Sequence, residues 1–126
     1  LEVSVPNISN FNRTLYHYSN LCFGMSFKAA LNLMDKKGFY FVGSNFLKNN
    51  AFFISKKYKK KKYFKNLRID KSKSNVDSNF RESRDLNNKL NYLSGNKKIK
   101  EIINCKVVNL GNKKKKIAKI RDLLSN

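Results

Sequence analysis

Ser26-Phe27-Lys28-Ala29-Ala30-Leu31-Asn32-Leu33-Met34-Asp35-Lys36-Lys37-Gly38-Phe39-Tyr40-Phe41-Val42-Gly43, joined by a short link to Ala51-Phe52-Phe53-Ile54, is the stretch on which the fold of this chain turns. Ser26 is placed to cap a helix, because its hydroxyl can accept from the first backbone N–H groups, which have no partner of their own. Phe27, Ala30, Leu31 and Met34 recur at helical spacing and share one face. Lys36 and Lys37 suit the negative end of a helix, and Gly38 can take the left-handed conformation that ends it. The spacing predicts a helix over 26–37. Phe39–Val42 and Ala51–Ile54 are short, aromatic-rich and bounded by Gly, Ser or Asn, which are the marks of strands. About eight residues, Gly43 to Asn50, link them. A parallel crossover needs a dozen or more, so the pair is expected to be antiparallel.

Neither strand alternates apolar with polar residues. Each is apolar on both faces, as in a sheet covered on both sides. A twelve-residue helix is only about 18 Å long and covers one face at most. An isolated hairpin is marginal in water. The sequence therefore asks for further cover, either from a missing N-terminal half or from a partner subunit. Without that cover, Phe39, Phe41, Phe52 and Phe53 are expected to make the chain self-associate or pack loosely.

Outward from this centre the signals weaken. Residues 1–20 hold Pro6, several Asn and scattered aromatics without a period, and read as an extended loop. From Ser55 to Ser74 the chain is Lys-rich, with Tyr58, Tyr63 and Phe64 interleaved. Phe80, Leu86, Leu90 and Leu93 suggest an irregular or helical arm. Ile99, Ile102 and Ile103 suggest a short helix ending near Asn104. Val107-Val108 reads as a short extended piece and Gly111-Asn112 as a turn. Lys113 to Leu124 reads as a basic amphipathic helix with Ile117, Ile120 and Leu124 on one face.

Lys and Arg total 28 against 8 Asp and Glu, a net charge of +20 in 126 residues. One reading is a polyanion partner, either nucleic acid or an anionic membrane. The other is compositional drift: the excess is nearly all Lys, with five Arg, and accompanies abundant Asn, Ile and Phe. Arg makes the bidentate contacts to bases and phosphates, so its scarcity favours drift. No apolar run is long enough to span a bilayer. Cys22 and Cys105 lack partners at metal-binding spacing and read as reduced thiols, which places the chain in the cytoplasm.

No catalytic constellation stands out, and no phosphate-cradling glycine motif is present. His17 is the only histidine, so a His-based metal site would need carboxylates or another chain. Gly24-Met25-Ser26 superficially matches a nucleophile elbow, but Lys28 replaces its second glycine, and Ser26 reads as a cap. Two segments concentrate functional side chains. Tyr16-His17-Tyr18-Ser19-Asn20 offers His17 and Asn20, against the alternative that the tyrosines pack and His17 is solvated. Phe80-Arg81-Glu82-Ser83-Arg84-Asp85 offers Arg81 and Arg84 as carboxylate or phosphate binders, against the alternative that they pair with neighbouring acids.

Three pieces together resemble a known pattern: Phe23-Gly24-Met25-Ser26-Phe27-Lys28-Ala29-Ala30, Lys37-Gly38-Phe39-Tyr40-Phe41-Val42-Gly43-Ser44-Asn45, and Asn50-Ala51-Phe52-Phe53-Ile54. They are similar to the C-terminal part of class I S-adenosylmethionine-dependent methyltransferase-like proteins of the FkbM type. The similarity covers about residues 16–55, with a looser echo from Phe80 to Gly95. Met25 stands where the pattern has a small residue, and Phe39 where it has Tyr. The resemblance implies an α/β fold, namely the C-terminal part of a Rossmann-like methyltransferase sheet, in which a helix is followed by an antiparallel β-hairpin. Residues 1–55 would be that portion, 56–75 a Lys-rich linker, and 76–126 a mostly helical basic extension. The family's cofactor loop and ribose-binding acid belong to the other half of its domain. This chain is therefore expected to hold no cofactor, catalytic residue or metal ligand. S-adenosylmethionine is implied for the parent protein only. The loop before the helix would lie over the carboxyl ends of the strands, where ligands bind in such folds. His17, Asn20, Arg81 and Arg84 would then lie on the substrate side. The expected partner is the missing N-terminal half or a partner subunit, and no membrane. A small basic nucleic-acid-binding protein is the alternative, with non-specific binding expected from the charge in either case.

Overall fold

The computed structural model describes residues 1–58, 82–112 and 114–125 of the 126-residue chain. In chain order the elements are β1 (Val3–Ser4), α1 (Arg13–Tyr16), α2 (Phe27–Lys36), β2 (Phe39–Ser44), β3 (Ala51–Ser55), α3 (Asn96–Glu101), β4 (Lys106–Asn109), β5 (Lys116–Lys119) and α4 (Ile120–Leu124), with one 3₁₀ turn at Lys56–Tyr58. The fold is mixed α/β with antiparallel sheets. β2 and β3 form a hairpin, and β1, β4 and β5 form a three-stranded sheet in the order β1-β4-β5.

The helix and hairpin follow the sequence reading closely. Ser26 Oγ caps α2 by accepting from Ala29 N at 3.2 Å. Gly38 adopts φ +81 and donates to Asp35 O at 3.0 Å, which turns the chain out of α2 and into β2. β2 and β3 pair antiparallel, with Phe41 opposite Phe53 and then Gly43 opposite Phe52. The skipped residue is Val42, and Gly43 at φ +152 supplies a backbone conformation that side chains disfavour. Phe41 is the centre of this unit. Its ring meets Phe27 of α2 edge-on at 5.1 Å and Phe53 at 5.7 Å. Even coverage of both hairpin faces is not found among the described residues. α2 packs on the Phe41 face, while Phe52 stays 53% exposed. On Tyr40 the cover is the Lys56 ammonium, 5.2 Å from the ring centroid.

The second sheet departs further from expectation. Residues 1–20 are not a featureless loop. β1 pairs with β4, Val3 opposite Asn109 and Ser4 opposite Val108. α1 is started by Asn12, whose Oδ1 accepts from Thr14 N and Leu15 N. The basic helix expected over 113–124 is a strand followed by a single helical turn: Lys116–Lys119 is β5, and only Ile120–Leu124 is helical. The turn at Gly111-Asn112 brings the chain back alongside β4. Pairing there satisfies the backbone groups of both strands, which a solvated four-lysine helix could not do for β4. Ile117 and Leu124 accordingly point outward, 61% and 50% exposed, and only Ile120 is buried. The expected arm is irregular where described, at 82–94. It is tied by an Arg84–Leu90 bridge and by Asp85 Oδ1, which accepts from Asn87 N and Lys89 N.

The core of this part unites both ends of the chain. Cys22, Cys105, Val107 and Ile120 are buried together, with Val3, Val5, Tyr16, Ile102 and Leu123 packed around them. β4 and β5 therefore share a sheet with β1, and Ile102, Cys105, Val107, Ile120 and Leu123 share a core with Val3, Val5, Tyr16 and Cys22. Most of the expected linker, 59–75, lies outside the described residues. Ser26 joins the two parts, because the Oγ that caps α2 also accepts from Val3 N at 3.1 Å.

Candidate functional site

Three of the four residues singled out in the sequence come together where the loop before α2 meets the irregular segment. Arg84 N donates to Ser19 O at 3.2 Å, and this backbone bond joins the His17–Asn20 loop to Glu82-Ser83-Arg84. The fourth, Arg81, lies outside the described residues.

The loop is folded around His17. Its Nδ1 lies 2.7 Å from Ser19 Oγ and accepts from Ser19 N at 3.3 Å. A backbone N–H can only donate, so Nδ1 carries the lone pair and the ring is neutral with its proton on Nε2. Burial also pushes the His17 pKa down, against the opposing pull of the Glu101 carboxylate. Tyr18 stacks on the His17 ring at 4.5 Å, and its hydroxyl donates to Glu101 Oε1. That hydrogen bond, ahead of burial, raises the Tyr18 pKa. Asn20 donates its N–H to His17 O at 3.0 Å and takes φ +60, a left-handed conformation that Asn tolerates better than most residues.

The facing segment is equally specific. Ser83 is fully buried; its Oγ donates to Asn91 Oδ1 at 2.5 Å and accepts from Leu93 N at 2.7 Å. Glu82 is held between two guanidinium groups, Arg84 at 2.6 Å and Arg13 at 3.7 Å. Arg84 also donates to Asn88 O at 2.8 Å. Its fork is thus engaged within its own segment, as the structural alternative in the sequence held.

What this arrangement can do follows from access. Ser19 and His17 have the contact of a nucleophile and its base, but Ser19 is 0% exposed, so no substrate carbonyl can approach it. The pair braces the loop. Asn20 is the exception among these satisfied groups: it is 3% exposed, and its Oδ1 has no hydrogen-bond partner among the described residues. Among the described residues no group of three His, Cys, Asp or Glu side chains converges on a point that could hold a metal ion. The five glycines, at 24, 38, 43, 95 and 111, each serve a separate turn, bulge or helix end. The described residues therefore offer no glycine-rich cradle for S-adenosylmethionine.

No family model, curated protein or solved structure matches this chain.

Of the other side chains that define the geometry, Tyr18, Ser19, Glu82 and Ser83 lie in the two segments the sequence points to without being candidates there, and Glu101 lies outside both. A buried serine carries no mark of its burial in the sequence.

Proposed function

We propose that this chain is the C-terminal part of a class I S-adenosylmethionine-dependent methyltransferase-like protein of the FkbM type, working in the cytoplasm. In this reading a companion segment or subunit holds the cofactor, and this chain forms part of the substrate-side wall. It is inactive alone. The observation that carries the reading is the order of a capped helix, a glycine turn and an antiparallel aromatic hairpin at the residues of the quoted pattern. In this reading the loop that precedes the helix carries half-buried His17 on the substrate side, with Asn20 buried behind it. Arg84 organises the neighbouring segment through Glu82 and Asn88.

The net charge of +20 favours a second reading, a small basic nucleic-acid-binding protein. Calorimetric titrations separate the two. With S-adenosylmethionine the chain should give no micromolar binding, which would correspond to about −8 kcal/mol; such binding would overturn the division of labour proposed. With DNA or RNA, affinity should fall with rising salt into the range of about 10⁻⁴–10⁻⁶ M near physiological conditions. A sequence preference of roughly a thousandfold or more would instead put the second reading first. The upstream coding sequence is the complementary test. A glycine-rich loop after a strand supports the methyltransferase-like parent, and an in-frame stop codon overturns it.

A further inference from the structure

Residues 106–119, which supply β4, β5 and the link between them, hold six lysines and no acidic residue. The register sets two of these lysines face to face, Lys106 opposite Lys119. Ile120 N donates to Cys105 O at 3.1 Å, so Cys105 and Ile120 are hydrogen-bonded neighbours across the ladder. Bonded and unbonded pairs alternate along an antiparallel ladder, which makes Lys106 and Lys119 an unbonded pair, the kind whose side chains stand closer. The Lys106 carbonyl accordingly accepts from elsewhere, from the Tyr16 hydroxyl at 2.7 Å. Val107 is buried in the core, and side chains alternate across a strand. Lys106 and Lys119 therefore stand on the outer face of the sheet, together with Val108 and the exposed Ile117.

Like charges directly opposite one another destabilise a sheet. Among the described residues neither ammonium has an ion-pair partner. Asp122, the next acid along the chain, accepts from Lys119 N at 3.3 Å and lies 3.5 Å from Arg121 Nε. Glu2 lies beside Gly111, on the β1 side of β4. Lys114 and Lys115 are exposed at the other end of the hairpin, beyond Lys116, which is three ladder steps or about 10 Å from the first pair.

We propose that the outer face of β4 and β5 is the surface on which nucleic acid docks, its phosphates received between Lys106 and Lys119 and by Lys114 and Lys115. The inference rests on the nucleic-acid reading of the charge and gives that reading a place in the fold. A phosphate between two opposed ammonium groups replaces one repulsion with two attractions. Val108 and Ile117 leave an apolar strip between the two cationic ends, against which sugar edges can lie. Lysine offers a point charge without the planar fork of arginine, so this surface holds the backbone and reads no sequence. Charge spread by compositional drift would instead give every exposed lysine equal weight.

The test is fluorescence anisotropy with a short labelled DNA duplex of mixed sequence, titrated at several salt concentrations. In Lys106→Gln/Lys119→Gln the slope of log K against log salt should become shallower by about two, since each phosphate contact contributes about 0.9. Lys114→Gln/Lys115→Gln, changed in an exposed link, should move it in the same direction. Lys36→Gln/Lys37→Gln, at the end of α2, should leave it unchanged. Without DNA the first variant should unfold at no lower temperature than the wild type, because a repulsive pair is gone; if it fails to fold, the second variant decides. Equal shallowing in all three variants would overturn the placement and leave nucleic-acid binding standing. No saturable binding of the duplex at low salt would overturn the reading beneath it as well. Binding to anionic vesicles alone, lost with Lys106 and Lys119, would give this face to a membrane and overturn the inference.

Discussion

The helix–hairpin of residues 26–55 and the three-stranded sheet of residues 1–25 with 82–125 are built from opposite kinds of contact. In the first, every partner is close in sequence: Ser26 caps Ala29, Gly38 turns α2 into β2, and Phe41 meets Phe53 across a short link. In the second, Val3 pairs with Asn109, and Cys22 packs beside Cys105. The price in loop-closure entropy is far higher there, and the contacts that repay it are a few buried residues and a set of hydrogen-bonded serines. The comparison teaches that the weak-looking ends of a sequence can hold a core jointly when neither holds one alone.

The strongest test of this contrast is to truncate each core. Phe41→Ala should cost about 3–5 kcal/mol and Ile120→Ala about 2–5 kcal/mol, read from urea unfolding midpoints. Both are expected to shift one shared transition, because Ser26 and β1 tie the two parts together. If Ile120→Ala moved stability by less than about 0.5 kcal/mol, the range of neutral surface changes, residues 82–125 would be a mere appendage.

Ser83→Ala gives a smaller effect and sharpens the picture of the loop junction. It leaves the N–H of half-buried Leu93 without its acceptor and should cost about 1–3 kcal/mol. Ser83→Thr, which keeps the hydroxyl, separates lost hydrogen bonding from crowding. Equal losses in both variants would point to packing alone.

The smallest expected effect is the pH dependence set by His17. Its folded-state pKa is lowered by burial, so the unfolded chain binds the proton more readily. Stability should fall as pH drops from about 6.5, the usual histidine value, to the folded value, and the loss should be complete below it. The Glu101 carboxylate, which accepts from the Tyr18 hydroxyl and favours the charged imidazolium, limits the loss. His17→Gln should flatten this stretch of the stability–pH curve. An unchanged slope in that variant would assign the dependence to another group.

Legibility followed the distance between partners. Ser26, the periodic apolar face and Gly38 specify α2 without reference to anything remote. The aromatic runs and their short link specify an antiparallel pair in the same way. In the candidate site, His17, Asn20 and Arg84 were legible as chemistry but not as neighbours. The bond that joins them, Arg84 N to Ser19 O, lies between backbone atoms of segments far apart in the chain. The burial of Ser19 and Ser83 was invisible because burial is a property of the surroundings and not of the residue. Lys116–Lys119 misled for the same reason. Ile117, Ile120 and Leu124 fit a helical period, but the open side of β4 offered a better partner than solvent.

By itself the sequence determined a capped helix, the turn after it, an antiparallel aromatic hairpin and an excess of positive charge. These depend on local backbone preferences and on apolar spacing, which any window of the chain displays. Only the tertiary structure decided that the two ends of the chain share a sheet, that β5 is a strand, and that two distant cysteines share one core. Those outcomes depend on which unsatisfied edges and apolar surfaces meet in space. The free energy of such meetings belongs to the pair of segments and is written in neither one.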